Sequence, residues 1–301
     1  MRNGPAVRRR KLGAELRRQR ETAGLTSRQA ATAVGWHQSK VSRIETGRSG
    51  VKPADVVRLL DAYEVVDAER RALLAALCSP GPADRDGTRN TWWYAYDDLL
   101  PVGYRDFISL ESAASQARTL ETTVVPGLFQ TPDYARAVTR AALGDPPDEQ
   151  VEELVAVRMA RQSVLRGTPP MRLCAVLDEA VLRRTVGGPE VMAGQLRKLW
   201  EFGALPHVSL HVLPFAQGGH IGITGPFVIF SFSPMADLDV VVLDHLTSSN
   251  YLERKEDLQA YCTAFETLRA RALPHDESLN FISEINAEII TTIDAETRVG
   301  I

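Results

Sequence analysis

The sequence is poor in cysteine and contains no long apolar segment. Its three cysteines, Cys78, Cys174 and Cys262, are far apart in the 301 residues and form no CxxC pair. Neither a disulfide framework nor a zinc site is therefore predicted. No run approaches the roughly 20 apolar residues of a membrane span, and no apolar signal core follows the charged N-terminus. We expect a cytoplasmic protein with no membrane partner, no metal and no other cofactor.

Positive charge is concentrated near the N-terminus. The formal net charge is only −3, yet residues 1–52 hold 13 Lys and Arg against 3 Glu, which leaves −13 on the remainder. Lys and Arg release counterions from phosphate, so a basic segment on an acidic chain is typical of a nucleic-acid-binding module. For residues 8–11 alone, a solvated basic tail is the alternative.

Capping and stop signals predict five helices in the first eighty residues. Gly24 ends the first, Thr26 can cap the second, and Gly35 stands where a left-handed C-cap is needed. Pro53 is suited to the first position of the fourth. The predicted helices cover about residues 9–23, 27–34 and 38–47 (QSKVSRIETG), a stretch that begins at Pro53, and residues 67–77.

The spacing of small and apolar residues indicates a helix-turn-helix. Two helices that cross steeply through a short turn need a small residue at their contact, a glycine in the turn and apolar residues on the second helix. Ala31, Gly35, Val41 and Ile44 occur in that order. Residues 9–77 resemble the Cro/C1-type (XRE) helix-turn-helix domain. The resemblance is carried by the segment GLTSRQAATAVGWHQSKVSRIETG, which contains these four residues. A five-helix bundle that binds protein is the alternative.

This resemblance implies that the third helix lies in the major groove of DNA. Gln can pair with adenine, Lys and Arg with guanine, and Ser with bases or phosphate. We expect base contacts from Gln38, Ser39, Lys40, Ser42 and Arg43, and contacts to the DNA backbone from Arg8, Arg9, Arg10, Ser27, Arg28 and Arg48.

Three further positions carry their own expectations. Ser27 stands where the XRE family usually has Gln, so the glutamine pair of that family is not expected here, and Arg28 is a candidate replacement for its phosphate contact. His37 stands where Ser or Thr usually caps the recognition helix, and we expect it to be a turn residue. Glu45 matches the acidic residue of the family, and we expect it to pair with a basic residue of the same domain.

The segment CSPGPADRDGTRN, residues 78–90, has no apolar periodicity and is predicted to be a linker. The larger half is predicted to be α+β, a small and mostly antiparallel sheet covered by helices. We divide the chain into a basic arm (1–8), an all-α helix-turn-helix domain (9–78), a linker (79–90), a regulatory domain (91–273) and a C-terminal helix with tail (274–301). Predicted helices lie near 104–121, 131–143, 148–166, 189–202, 254–272 and 276–293, and predicted strands at 171–177, 207–215, 226–232 and 239–246.

Three segments of the larger half resemble the C-terminal domain of actinomycete regulators of the WhiJ-like group, over about residues 90–273. The resemblance implies transcriptional control and an antitoxin-like relationship to a small partner protein encoded nearby. The segments are VVPGLFQTPDYARAV, HVLPFAQGGHIGITGPFVIFSF and HLTSSNYLERKEDLQAYCTAFETLRARAL.

The larger half has no recognisable catalytic motif. The glycines of GGHIGITG (218–225) lack the Lys-Ser/Thr of a phosphate loop and are expected in a hairpin connection. His207 and His211 lie on a predicted strand, where four residues span roughly 13 Å, so they cannot share a metal. No G-x-S-x-G element is present. We expect that the protein is not an enzyme.

Two roles stay open for the larger half. A small-molecule sensor needs a closed apolar pocket with a few polar groups. A partner-binding domain would instead expose an apolar patch, for which GPFVIFSF at a sheet edge and the acidic last helix are the candidates. The predicted ligand or partner site consists of Trp92, Trp93, Tyr134, Trp200 and His220.

The sequence therefore predicts a transcriptional regulator that binds an operator in double-stranded DNA. Because one short helix reads few bases, we expect a homodimer, with its contacts in the larger half. That half would control activity by binding a small partner protein or a small-molecule ligand. The alternative is an antitoxin-like interaction factor whose DNA binding is chiefly autoregulatory.

Overall fold

A computed structural model describes most of the chain, and the chain divides into two compact units. The units are Met1–Asp97 with Tyr104–Ala113, and Asp98–Gly103 with Ala114–Ile301. The predicted linker lies outside the described residues, as does most of the fifth helix, of which residues 68, 70, 71 and 74 are helical. Described are 5–68, 70–71, 74, 92–96, 99–144, 146–232, 239–244 and 249–299, without the side chains of 5–8, 11, 94–95, 102 and 296–299.

The second, third and fourth helices of the first unit begin at the residues that the sequence predicts. Thr26 and Gln29 form a reciprocal capping box at the second helix, and Pro53 lies in the first turn of the fourth. Gly24 and Gly35 have φ of +69° and +70°, which residues with a Cβ rarely adopt. The helices are α1 (Pro5–Thr22), α2 (Ser27–Ala33), α3 (Gln38–Glu45) and α4 (Pro53–Ala62).

The first helix is longer than predicted, because it begins at Pro5. Residues 5–8, assigned to a basic arm from the sequence, are therefore part of α1. Together α1 to α4 enclose one apolar core whose buried members come from every helix. They are Leu12, Leu16, Ala30, Ala31, Val34, Val41, Ile44, Val56, Leu59, Leu60, Tyr63 and Leu74.

The second unit is built on a mixed sheet of six strands, as far as the described residues show. The strand order is β3-β2-β1-β4-β5-β6; β1 pairs with β2 and β2 with β3 in parallel, and the other three pairs are antiparallel. This confirms the predicted α+β class. The strands are β1 (Gln116–Glu121), β2 (Arg172–Asp178), β3 (Val208–Leu213), β4 (Phe227–Ser231), β5 (Val240–Asp244) and β6 (Ser249–Leu252).

Helices cover this sheet and pack against its apolar side chains. Phe265 and Leu268 of one long helix lie in a core with Leu120, Ile229 and Val241 of the sheet. The helices that follow α4 are α5 (Val102–Ala113), α6 (Pro132–Leu143), α7 (Asp148–Arg161), α8 (Glu179–Arg183), α9 (Pro189–Gly203), α10 (Lys255–Arg271) and α11 (His275–Val299). No helix among the described residues is both long enough and apolar enough to cross a membrane.

Three local predictions for the sheet are wrong. The stretch 116–121 was expected to end a helix but forms the central strand β1, because long-range pairing with β2 and β4 overrides the weak local preference of QARTLE. GGHIGITG is not a hairpin connection, since it joins β3 to β4, and β2 and β1 lie between them. GPFVIFSF is not at a sheet edge either, because β4 pairs with both β1 and β5. The strand β6 was not predicted.

Candidate nucleic-acid interface

The helices α2 and α3 have the local geometry of a helix-turn-helix. Ala31 is buried at their contact, and its carbonyl accepts a hydrogen bond of 2.8 Å from the amide of Trp36 in the turn. Val41 and Ile44 are buried on the inner side of α3. The four positions that the sequence singles out therefore hold this motif together.

The outer side of α3 carries polar and basic side chains. Gln38, Ser39 and Arg43 are exposed, and Lys40 and Ser42 are partly exposed. Their polar atoms extend from a helix whose apolar residues are all turned into the core, so this side of α3 is a hydrogen-bonding surface. All five predicted base-contacting residues lie on this surface.

An internal ion pair fixes the far end of α3 to α1. Arg20 donates two hydrogen bonds to the carboxylate of Glu45, at 2.7 and 3.0 Å, and both side chains are buried. The hydrogen bond to Glu45 raises the pKa of Arg20 above its ordinary value. Arg20 also donates to the carbonyl of Leu25 at 2.7 Å. The predicted pairing of Glu45 within its own domain is confirmed.

Close backbone approach makes a second contact between α1 and α3, and it depends on Gly13. A Cβ atom added at Gly13 would collide with the carbonyl oxygen of Ile44 and would lie 2.7 Å from that of Glu45. At Gly47, where φ is +67°, an added Cβ would lie 2.8 Å from Cγ of Arg10. Two glycines therefore allow α1 to contact the end of α3.

The beginning of α3 is held by a pair that differs from the glutamine pair of the XRE family. The side-chain amide of Gln38 donates to the hydroxyl of Ser27 at 3.1 Å. His37 occupies the N-cap position, and its side chain makes no capping hydrogen bond. Ser27 thus supports the first residue of α3 from the start of α2.

Lys40 is held by groups from outside α3. Its ammonium lies 3.5 Å from the ring centroid of Trp36 and 3.3 Å from a carboxylate oxygen of Asp55 in α4. The guanidinium of Arg58 lies 5.6 Å from the same ring and donates to the carbonyl of Val34 at 2.8 Å. The sequence predicts that Lys40 contacts a base. It does not predict the contacts of Lys40 with Trp36 and Asp55.

The residues predicted to contact the DNA backbone fall into distinct groups. Arg28 and Arg48 are exposed, and in the described part of the chain their side chains have no hydrogen-bond or ion-pair partner. Arg9 donates to the carboxylate of Asp106 in α5, within the first unit. Arg10 packs against Gly47, and the side chain of Arg8 lies outside the described residues.

Some residues that shape this surface were missed in the sequence. Gln29 could have been found, because Thr26-x-x-Gln29 is a capping-box pattern. Gly13, Trp36 and Asp55 leave no such local signal, since their contacts join elements that are distant in the sequence.

The residues predicted to form the ligand or partner site of the larger half have different environments. Trp93 and Tyr134 are core residues, 1% and 0% exposed, and the hydroxyl of Tyr134 accepts a hydrogen bond from the amide of Val125. Trp92 meets Trp93 edge to face. Nε2 of His220 lies 3.4 Å from the carboxylate of Asp178.

Trp200 has a different environment, since it is 47% exposed beside a groove between α9 and α11. The groove has a volume of about 220 Å³, and neither Tyr134 nor His220 lines it. Its lining residues are Leu196, Arg197, Trp200, Ile282, Ser283 and Asn286.

Buried amides explain the segment VVPGLFQTPDYARAV as a structural motif. Gln130 donates to the carbonyl of Val125 at 2.8 Å, and Gln195 of α9 donates to that of Phe129 at 2.8 Å. The amide of Thr131 in turn donates to Gln195 at 2.8 Å. A buried loop must satisfy its backbone groups, and these glutamines do so.

The carboxyl of Glu121 at the end of β1 is the most perturbed acid in the sheet among the described residues. Its pKa is raised from 4.5 to about 8, chiefly by burial and also by the charge of Asp244, and a hydrogen bond from Thr119 opposes this rise. The described residues contain no group of three His, Cys, Asp or Glu side chains that could hold a metal ion.

Family comparisons agree with this division of the chain. Residues 11–73 match the model of a helix-turn-helix domain. With the buried motif residues and the basic outer side of α3, this match defines the class of the protein as a DNA-binding regulator of the helix-turn-helix type. Residues 104–284 match the model of a domain of unknown function, DUF5753; the match covers more than half of the chain, which therefore belongs to that family. No curated protein and no solved structure matches the chain.

Proposed function

We propose that the protein is a sequence-specific transcriptional regulator of the XRE type, which acts in the cytoplasm and binds its operator through α3. The observation that carries this proposal is the exposure of Arg43 and Ser39 on a helix whose Val41 and Ile44 are buried. A guanidinium can donate two parallel hydrogen bonds to O6 and N7 of guanine, and a serine hydroxyl can bond a base or a phosphate. Lys40, Ser42 and Gln38 extend this reading surface.

Phosphate contacts would orient α3 in the groove. Arg28 and Arg48 flank α3 in the sequence, and both are exposed. The net charge of +10 over residues 1–52 attracts DNA without regard to its sequence. In this proposal Arg28 and Arg48 fix the register on the duplex, and Arg43 supplies base preference.

The proposal includes a homodimer, because a helix of eight residues contacts too few bases for specificity in a genome. Two-fold symmetry would place two copies of α3 in major grooves on one side of the duplex. Its test is light scattering of the full chain, for which the expected mass is twice 33.1 kDa. A mass of one chain at micromolar concentration would contradict the dimer.

A binding selection from random duplexes tests the DNA-binding function. We expect one enriched pseudo-palindrome whose half-sites are about 10 base pairs apart, or a multiple of that distance. Bound duplexes without any common sequence would contradict sequence-specific binding. A single, non-repeated motif would contradict the proposed dimer but not sequence-specific binding.

We further propose a regulatory rather than a catalytic role for the DUF5753 region, through a small partner protein. The resemblance to the WhiJ-like group supports such a partner. The groove beside Trp200 supports a protein over a small molecule, because about 220 Å³ is below the roughly 300 to 1,000 Å³ of most small-molecule pockets. An exposed tryptophan is also a common anchor of protein interfaces.

The second candidate function is an antitoxin-like factor whose DNA binding serves only its own gene, again favoured by the WhiJ-like resemblance. Purification of the full chain from its native host separates a partner protein from a small-molecule ligand. A small protein retained in equal amount supports the partner model, and a retained metabolite supports a sensor. Occupancy of many promoters in the cell would contradict a purely autoregulatory role.

A further inference from the structure

Lys40 is the one predicted base-reading residue whose charged group is paired within the described residues. Its ammonium lies 3.5 Å from the centroid of the Trp36 ring and 3.3 Å from the carboxylate of Asp55. The two side chains of the ion pair remain 39% and 24% exposed. The pair is therefore formed in the free protein and is open to competition by an anion.

The support beneath Lys40 is firmly held. Trp36 packs against the core of the first unit, and its backbone amide bonds Ala31. Asp55 lies in the first turn of α4, whose Val56 and Leu59 are fully buried. The turn and α4, which both pack on the core of the first unit, thus determine where the Lys40 ammonium lies.

On the basis of the proposed DNA-binding function, we propose that Asp55 is a positioning residue that sets the discrimination between operator and other DNA. The carboxylate holds Lys40 on the Trp36 ring and offsets its charge. A loosely bound duplex then gains little from Lys40. DNA docked in the correct register supplies an acceptor that replaces Asp55, and the ammonium is released to it.

The physical basis is that a lysine is a point charge that attracts any phosphate, whatever the sequence. A carboxylate beside it weakens this attraction and repels phosphates that approach in the wrong register. Asp55 would therefore lower non-specific affinity more than operator affinity. A merely structural role, fastening α3 to α4, would change stability and leave the ratio of the two affinities unaltered.

The test compares Asp55→Asn with wild type in full-length protein, on the selected operator and on a scrambled duplex, over a range of salt. We expect affinity for the scrambled duplex to rise about two- to fivefold, because exposed ion pairs are of modest strength. The salt dependence for that duplex should steepen by about one charge. Affinity for the operator should change less, so the specificity ratio falls.

The matched control is Asp61→Asn, which makes the same charge change on α4, where Asp61 pairs with Arg71. Equal effects of the two variants would overturn the proposal, since net charge alone would then explain them. In a Lys40→Met background, Asp55→Asn should have no effect on the specificity ratio; a persistent effect would also overturn it. Failure of DNA reading itself would be seen separately, as a wild-type protein that prefers no duplex.

Discussion

The first unit depends on an intact pair of Arg20 and Glu45, because both groups are buried and hydrogen-bonded to each other. Replacement of one partner leaves the other as an unpaired buried charge. Arg20→Met should therefore lower the free energy of unfolding by about 3 to 5 kcal/mol. The measurement is urea denaturation followed by circular dichroism.

Arg17→Met is the control for this prediction, because Arg17 pairs with Glu21 on the same helix with both side chains half exposed. An exposed pair of this kind contributes at most about 1 kcal/mol. Equal losses in the two variants would mean that the Arg20–Glu45 contact gives no special stability.

The raised pKa of Glu121 predicts that the stability of the second unit depends on pH. Its pKa is about 8 in the folded protein, whereas the ordinary value, which applies to the unfolded chain, is 4.5. Between these two pH values the folded state retains a proton that the unfolded state releases. Its contribution to stability is complete below pH 4.5 and is lost as the pH rises to about 8. Glu121→Gln cannot lose a proton, and its unfolding midpoint should fall less between pH 5 and pH 8.

Thermal unfolding of Glu121→Gln and wild type at four pH values in this range is the appropriate measurement. Glu153→Gln on the exposed side of α7 serves as control and should follow wild type. Parallel curves for Glu121→Gln and wild type would contradict the raised pKa.

At the scale of elements, the contact between α1 and α3 predicts an effect opposite to helix propensity. Alanine usually stabilises a helix interior over glycine by about 0.5 to 1 kcal/mol. Gly13→Ala should instead destabilise the protein, because the added methyl collides with the carbonyl groups of Ile44 and Glu45. Gly194→Ala in α9 should show the usual gain, since an added Cβ meets no atom within 4 Å. Denaturation of both variants checks the contrast, and a stabilising Gly13→Ala would disprove it.

Elements with a local signal in the sequence could be predicted, and the strand β1, which is defined by its partners, could not. Thr26, Gly35 and Pro53 mark α2 to α4 within the chain segment itself. β1 carries no such mark, because it becomes a strand through β2 and β4, which follow it by more than fifty residues. The strand β4 likewise pairs with β1, which lies far from it in the sequence. GPFVIFSF is therefore interior, although the sequence predicts a sheet edge.

The candidate site divides in the same way. Helical periodicity predicts that Val41 and Ile44 face inward. The family pattern predicts that Glu45 pairs with a basic residue. The hold of Asp55 on Lys40 depends on where α4 packs, which no local pattern in α3 records. Residues proposed for one ligand site by composition, such as Tyr134 and Trp200, have unlike environments for the same reason.

At the scale of the whole molecule, α5 is shared by the first compact unit and the DUF5753 match. The DUF5753 match begins at residue 104, yet Tyr104–Ala113 is part of the first compact unit. There Arg9 of α1 donates to Asp106 of α5. A residue expected to meet DNA phosphate is thus bonded to a residue at the start of the DUF5753 match, within the first unit.

The central claim is that α3 reads bases, and Arg43→Ala tests it most directly. Selections from random duplexes are run in parallel with wild type, with Arg43→Ala and with the control Arg172→Ala, which removes an exposed charge from β2. Arg43→Ala should lose the preference at one position of each half-site, at a cost of about 1 to 3 kcal/mol, and retain the rest of the motif. An unchanged motif, or a loss spread evenly over all sequences, would contradict the account.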